Sequence, residues 1–78
     1  MSKIKFDINT IKIMSLFEAI TRAKLKDCIM NNELGQITFV VEENEIGKAI
    51  GKNASNIKLL EQKLNKRIKI VEFSKNIV

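Results

Sequence analysis

The sequence predicts a single α+β domain ordered helix, strand, strand, helix, helix, strand, with a three-stranded mixed sheet and helices on one face. Three observations predict it. Seventy-eight residues, 45% of them apolar, support one thin core and a single domain spanning residues 1–78. The spacing of the apolar residues changes from three and four to two, back again, and finally to two once more. The stretch between the second and third predicted strands is long enough to form a crossover, which makes those strands parallel and the connection right-handed.

The elements follow in order. Asp7 caps a helix running to about Arg22, with Ile8, Ile11, Ile13, Met14, Leu16, Phe17 and Ile20 mostly three and four residues apart. Residues 23–30 then alternate. Ala23, Leu25, Asp27 and Ile29 are expected on one side of a strand, and Lys24, Lys26, Cys28 and Met30 on the other. "NNELG", residues 31–35, is a turn in which Gly35 permits a tight reversal. Ile37, Phe39 and Val41 alternate with Thr38 and Val40 in a second strand, which so short a loop pairs antiparallel with the first. Ile46, Ala49 and Ile50 mark a short helix interrupted at Gly51. A further helix runs from about Ala54 to Leu64 on Ile57, Leu60 and Leu64, with Asn53 suited to cap it and Asn65 to end it in a left-handed conformation. "RIKIVEF", residues 67–73, is the third strand. The chain shows no internal repeat and no linker.

Composition excludes several classes of function. The longest apolar runs are three residues, Phe39-Val40-Val41 among them, so no segment is a membrane span. "MSKIKFDINT" lacks the apolar core of a signal peptide. The single Cys28 has no disulfide partner within the chain and reads as a small buried side chain, which suits a cytoplasmic location. There is no His, Cys28 has no base to activate it, and Asp27 has no carboxylate partner, so no catalytic set is recognisable. No ligand cluster for a metal is present, and nothing implies a cofactor. The four Phe fall largely in core patterns, which leaves no aromatic platform for stacking bases.

Charge points to a partner. The net charge is +5, and residues 44–70 hold seven basic side chains against Glu45 and Glu61, an excess of five that leaves the rest neutral overall. A polyanion-binding surface has this distribution, as does a solvated lysine-rich face. Within the excess lies "GKAIGKNAS", residues 47–55. A Walker loop needs four residues between its first glycine and the Gly-Lys pair, then Ser or Thr. Here Gly47 and Gly51 enclose three, and Asn53 follows Lys52. The stretch fits better as a turn between two helices, where the amides and dipole at a helix start favour an anion and Lys52 adds a full charge. Gly51 lets a sugar–phosphate chain approach the main chain without a Cβ in the way.

These residues carry a family resemblance. "IGKAIGKNASNIKLLEQKLNKRIKIVEF" resembles the core of a KH domain, whose signature is Ile-Gly-x-x-Gly followed by an amphipathic helix. A helix and strand ahead of this core resemble the type II arrangement. "SLFEAITRAKLKDCI", "ITFVVEENEIGKAIGKNASNIKLLE" and "RIKIVEF" further resemble the first KH domain of archaeal NusA-like factors, over roughly residues 4–74. The resemblance implies a type II KH fold and single-stranded RNA binding in transcription termination, antitermination or RNA processing. Ile50, Gly51, Lys52, Asn53 and Ala54 then occupy the loop that grips the backbone of about four nucleotides. Ile46, Ile50 and Ile57 become candidates for an apolar groove floor, although the same spacing describes ordinary core, and Lys48, Lys58 and Lys69 for its charged rim.

Ala54 stands where the family has its second glycine. With helical dihedrals, alanine favours the helix there, and restoring glycine is expected to cost up to about 1 kcal/mol. Its methyl also stands where the sugar–phosphate chain passes. Two other readings therefore stay open: a degenerate KH domain binding protein, such as RNA polymerase or a second KH subunit, and single-stranded DNA binding. The archaeal NusA-like factors carry two KH domains, which implies either a fragment of such a protein or a single-domain version.

Overall fold

The computed structural model describes residues 8–74. Its elements are α1 (Ile8–Thr21), β1 (Leu25–Asn31), β2 (Gln36–Val41), α2 (Ile46–Ile50), a 3-10 turn (Lys52–Ala54), α3 (Ser55–Leu64) and β3 (Arg67–Glu72). The predicted capping residue Asp7 lies outside the described residues. The sheet has the order β1-β2-β3, with β1 antiparallel and β3 parallel to β2. This is the mixed sheet and crossover that the length of the α2–α3 connection predicts.

The core lies on one face of the sheet. Phe17 of α1, Ala49 of α2 and Leu60 of α3 are buried against Ile37, Phe39 and Val41 of β2 and Ile68 of β3. Phe17 and Phe39 stack with ring centroids 4.2 Å apart. The helix α1 stops at Thr21, whose hydroxyl donates to the Phe17 carbonyl at 2.9 Å and accepts the Ala23 amide at 3.0 Å. Arg22 follows with φ 62, and its amide donates to the Glu18 carbonyl at 2.8 Å. At the far end of α3, Asn65 takes the left-handed conformation expected of it, with φ 55. Gly35 closes the β1–β2 turn with φ 61, as its place in "NNELG" predicts.

The strand β1 departs from simple alternation. Leu25 pairs with Val41, but Asp27 pairs with Val40 and Cys28 with Phe39, so Lys26 is the extra residue of a β-bulge. One inserted residue exchanges the two faces for everything after it. Leu25, Cys28 and Met30 consequently all pack on the core, whereas Ile29, expected to share a face with Leu25, lies on the open face and is 51% exposed. The Asp27 carboxylate turns back to accept the Cys28 amide at 2.7 Å. Cys28 is half-buried; burial chiefly, with the Asp27 charge second, pushes its thiol above the ordinary value and disfavours a reactive thiolate. Phe73 also differs from a core assignment, being half-buried with the Lys26 ammonium 4.6 Å from its ring centroid. Ile11 of α1, placed in the apolar stripe, is 48% exposed.

Candidate nucleic-acid interface

The glycine loop joins α2 to α3 through Gly51 and the 3-10 turn Lys52–Ala54. The Gly51 amide donates to the Gly47 carbonyl at 3.0 Å, and the Ala54 amide to the Gly51 carbonyl at 3.2 Å. The Ser55 amide donates to the Lys52 carbonyl. Two of the amides expected to face an anion at the start of α3 are thus engaged within the turn. Those of Lys52 and Asn53, which lead it, have no acceptor inside it.

Gly51 adopts φ 78 and ψ 171, a region essentially restricted to glycine. A Cβ added there would lie 2.9 Å from both Cγ and Nδ2 of Asn56 and 3.0 Å from Oγ of Ser55. The first thing that glycine clears is therefore the protein's own Asn56 side chain. That side chain donates from Nδ2 to the Lys48 carbonyl at 2.9 Å, bracing the end of α2 against the start of α3. Asn56 carries no motif signal beyond its place after the loop, and sequence reasoning did not single it out.

Asn53 does not cap α3. It has φ 56 and ψ 33 with no side-chain capping bond, and α3 begins at Ser55 with Ala54 in the capping position. An N-cap needs extended backbone before the helix, and this loop turns too tightly to provide it. Ala54 is also left-handed, with φ 59 and ψ 28. The sign of the expected glycine effect therefore reverses. An L-residue in this region pays about 1–2 kcal/mol that glycine does not, against about 0.4–1 kcal/mol of extra chain entropy for glycine in the unfolded state. Ala54→Gly is expected to stabilise the domain by up to about 1 kcal/mol. A shift of the denaturation midpoint to higher urea at unchanged slope is the outcome to look for; a loss of stability would return Ala54 to the helix.

The remaining candidates divide. Lys48, Lys52, Asn53 and Lys58 are exposed on the helix–loop–helix. Lys48 is 3.7 Å from Oε1 of Glu45, which also accepts the Lys24 amide at 2.9 Å, so part of its charge is neutralised. Lys52 and Lys58 have no ion-pair partner among the described residues. Ile50 is half-buried at the end of α2, while Ile46 and Ile57, also half-buried, pack on the core. Lys69 pairs with Thr38 on β2 and lies on the opposite face of the sheet from Ile68 and Ile70. The sheet thus separates Lys69 from the loop, and the structure brings the other nine candidates together without it.

Residues 11–77 match a family model described as KH domain. A protein of Methanocaldococcus jannaschii named "Probable transcription termination protein NusA" is 35% identical over 74 residues, covering 95% of this chain and 39% of its own length. Proteins of the same name from Methanococcus vannielii and Thermoplasma acidophilum are 39% and 33% identical, covering 96% and 100% of this chain. The chain spans 42% and 53% of their lengths. A solved structure, "Crystal structure of APE1850", superposes with a TM-score of 0.84 at 35% identity, over 91% of this chain and 51% of that one.

Proposed function

Because the chain belongs to the KH domain family, we propose that it is a single-stranded RNA-binding module serving transcription termination or antitermination. The observation that carries this reading is the Gly51–Ala54 loop at the start of α3, which exposes Asn53 and a Lys52 that has no ion-pair partner among the described residues. A phosphate placed at the loop meets the Lys52 ammonium, the leading amides of the turn and the positive end of the α3 dipole. Lys58, one turn into α3, adds a second cation. The half-buried Ile50 offers apolar contact to a base beside the clamp. The names of the relatives supply the transcriptional context, and their greater length leaves room for further modules. A second KH domain or RNA polymerase would raise the effective concentration of a transcript held weakly here.

Grip of this kind has a measurable signature. A clamp neutralising roughly three phosphates on a single strand should give a log–log salt slope near −2, at about −0.7 per phosphate. With no aromatic side chain in residues 44–70 to stack on a base, affinity at physiological salt is expected to be micromolar or weaker. Titration of residues 1–78 with short RNA and DNA strands at several salt concentrations is the test. A slope indistinguishable from zero would remove the electrostatic clamp, and tighter binding to DNA would reassign the substrate. No binding to either would favour the protein-interaction reading, for which the methyl of Ala54 on the loop is the motivating observation.

A further inference from the structure

The helix α3 leads away from the glycine loop and ends in a second group of cations. Its ten residues span about 15 Å. Lys63 stands in its last turn, Lys66 and Arg67 follow its cap, and Lys12 approaches from α1. All four are exposed, and none forms an ion pair among the described residues. Two recesses of about 590 and 430 Å³ share Lys66 in their walls. The larger also takes Lys12, Thr10 and Asn32, and among the described residues no acid lines it. The smaller takes Arg67, Gly35 and Glu61, and the Glu61 carboxylate accepts the Ile68 amide at 3.3 Å.

A bland account of basic residues at a helix C-terminus is that they complement the dipole. It suits Lys63, in the last turn. It does not suit Lys12, which comes from another helix and lines the same recess as Lys66. Between the two ends, Ser55, Leu59 and Gln62 are exposed at spacings of four and three, which is one face of the helix, and Lys66 follows beyond the left-handed cap at Asn65. Lys58 and Lys63 flank that face, and Glu61 lies about 120° round the axis from it. Cations thus stand at both ends of this uncharged face, Lys58 near the loop and Lys63, Lys66 and Arg67 at the far corner, where Glu61 is the acid that shares the smaller recess.

We propose that single-stranded RNA held at the glycine loop continues along this face of α3 and lays further phosphates on Lys63, Lys66, Arg67 and Lys12. The proposal rests on the RNA-binding reading above. It makes the domain's footprint longer than the grip of its loop, with two anchor points at opposite ends of one helix.

The test compares an RNA of about four nucleotides, the reach of the loop alone, with one about three times as long. The variant is Lys66→Glu with Arg67→Glu, both exposed; the Arg67 bond to the Gly35 carbonyl is made by the main chain and survives. The short RNA should bind wild type and variant within about twofold, because about 15 Å exceeds the ~8 Å Debye length at physiological salt. The long RNA should bind wild type more tightly and lose about tenfold or more in the variant, its salt slope flattening by about 1.4 for two phosphates. Equal losses with both lengths, or no loss with the longer, would overturn the second anchor and leave the corner to an acidic protein partner. Wild-type protein that binds neither length would instead defeat the RNA reading itself, and this proposal with it.

Discussion

Replacing Lys52 and Asn53 together by aspartate is expected to abolish RNA binding while leaving the fold intact. Both side chains are exposed at the tip of the loop, and Lys52 has no ion-pair partner among the described residues, so neither holds the domain together. The two substitutions exchange one positive charge for two negative ones where the leading amides would meet a phosphate. Aspartate tolerates the left-handed conformation of Asn53 better than most residues do, which keeps the backbone cost small. Titration with RNA should fall below detection, with the circular dichroism spectrum and denaturation midpoint close to wild type. Affinity retained within about twofold in a natively folded variant would show that the loop is not the clamp.

The second large effect is expected at Gly51, and there it is structural. Gly51→Ala places a methyl 2.9 Å from the Asn56 side chain and forces an L-residue into a backbone region essentially restricted to glycine. The strain alone costs about 1–3 kcal/mol, a large share of the stability of so small a domain. The methyl must also displace Asn56, which breaks its bond to the Lys48 carbonyl and loosens α2 from α3. Urea denaturation of Gly51→Ala, Asn56→Ala and the double variant separates the two causes. Asn56→Ala alone should cost about 0.5–1.5 kcal/mol for its hydrogen bond. The double variant should cost less than the sum of the singles, because the crowding disappears while the backbone strain stays. Strict additivity would deny the crowding, and Gly51→Ala at wild-type stability would deny both.

These two neighbours show why parts of the loop were readable from the sequence and parts were not. That Gly51 starts a turn between helices follows from the interruption of an apolar period, which is local. What its missing Cβ makes room for depends on Asn56, five residues on, swinging back across the turn to the Lys48 carbonyl. No pattern of residue types encodes that bond. The same holds for Asn53 and Ala54. Asparagine before a helix is a reasonable cap, but the loop closes so tightly that both residues become left-handed, and the capping oxygen has no geometry in which to act.

The sequence by itself determined the order of the elements, the mixed sheet, the tight turn at Gly35, the left-handed ending at Asn65, and the family to which the glycine loop belongs. Each of these rests on a short-range preference: apolar period, backbone tolerance of glycine and asparagine, or the length a parallel crossover requires. The alternation of Ile37, Phe39 and Val41 in β2 was also legible, but tertiary structure alone decided the faces in β1 beyond Leu25 and the place of Lys69. The bulge at Lys26 moved Cys28 and Met30 to the core and Ile29 out of it, and parallel pairing with β2 sent Lys69 to the face away from the loop. A strand's alternation has a period of two, so a single residue of register reverses every later side chain. Register is chosen by the packing of Phe17 against Phe39 and of their neighbours across the sheet, which no segment can choose alone.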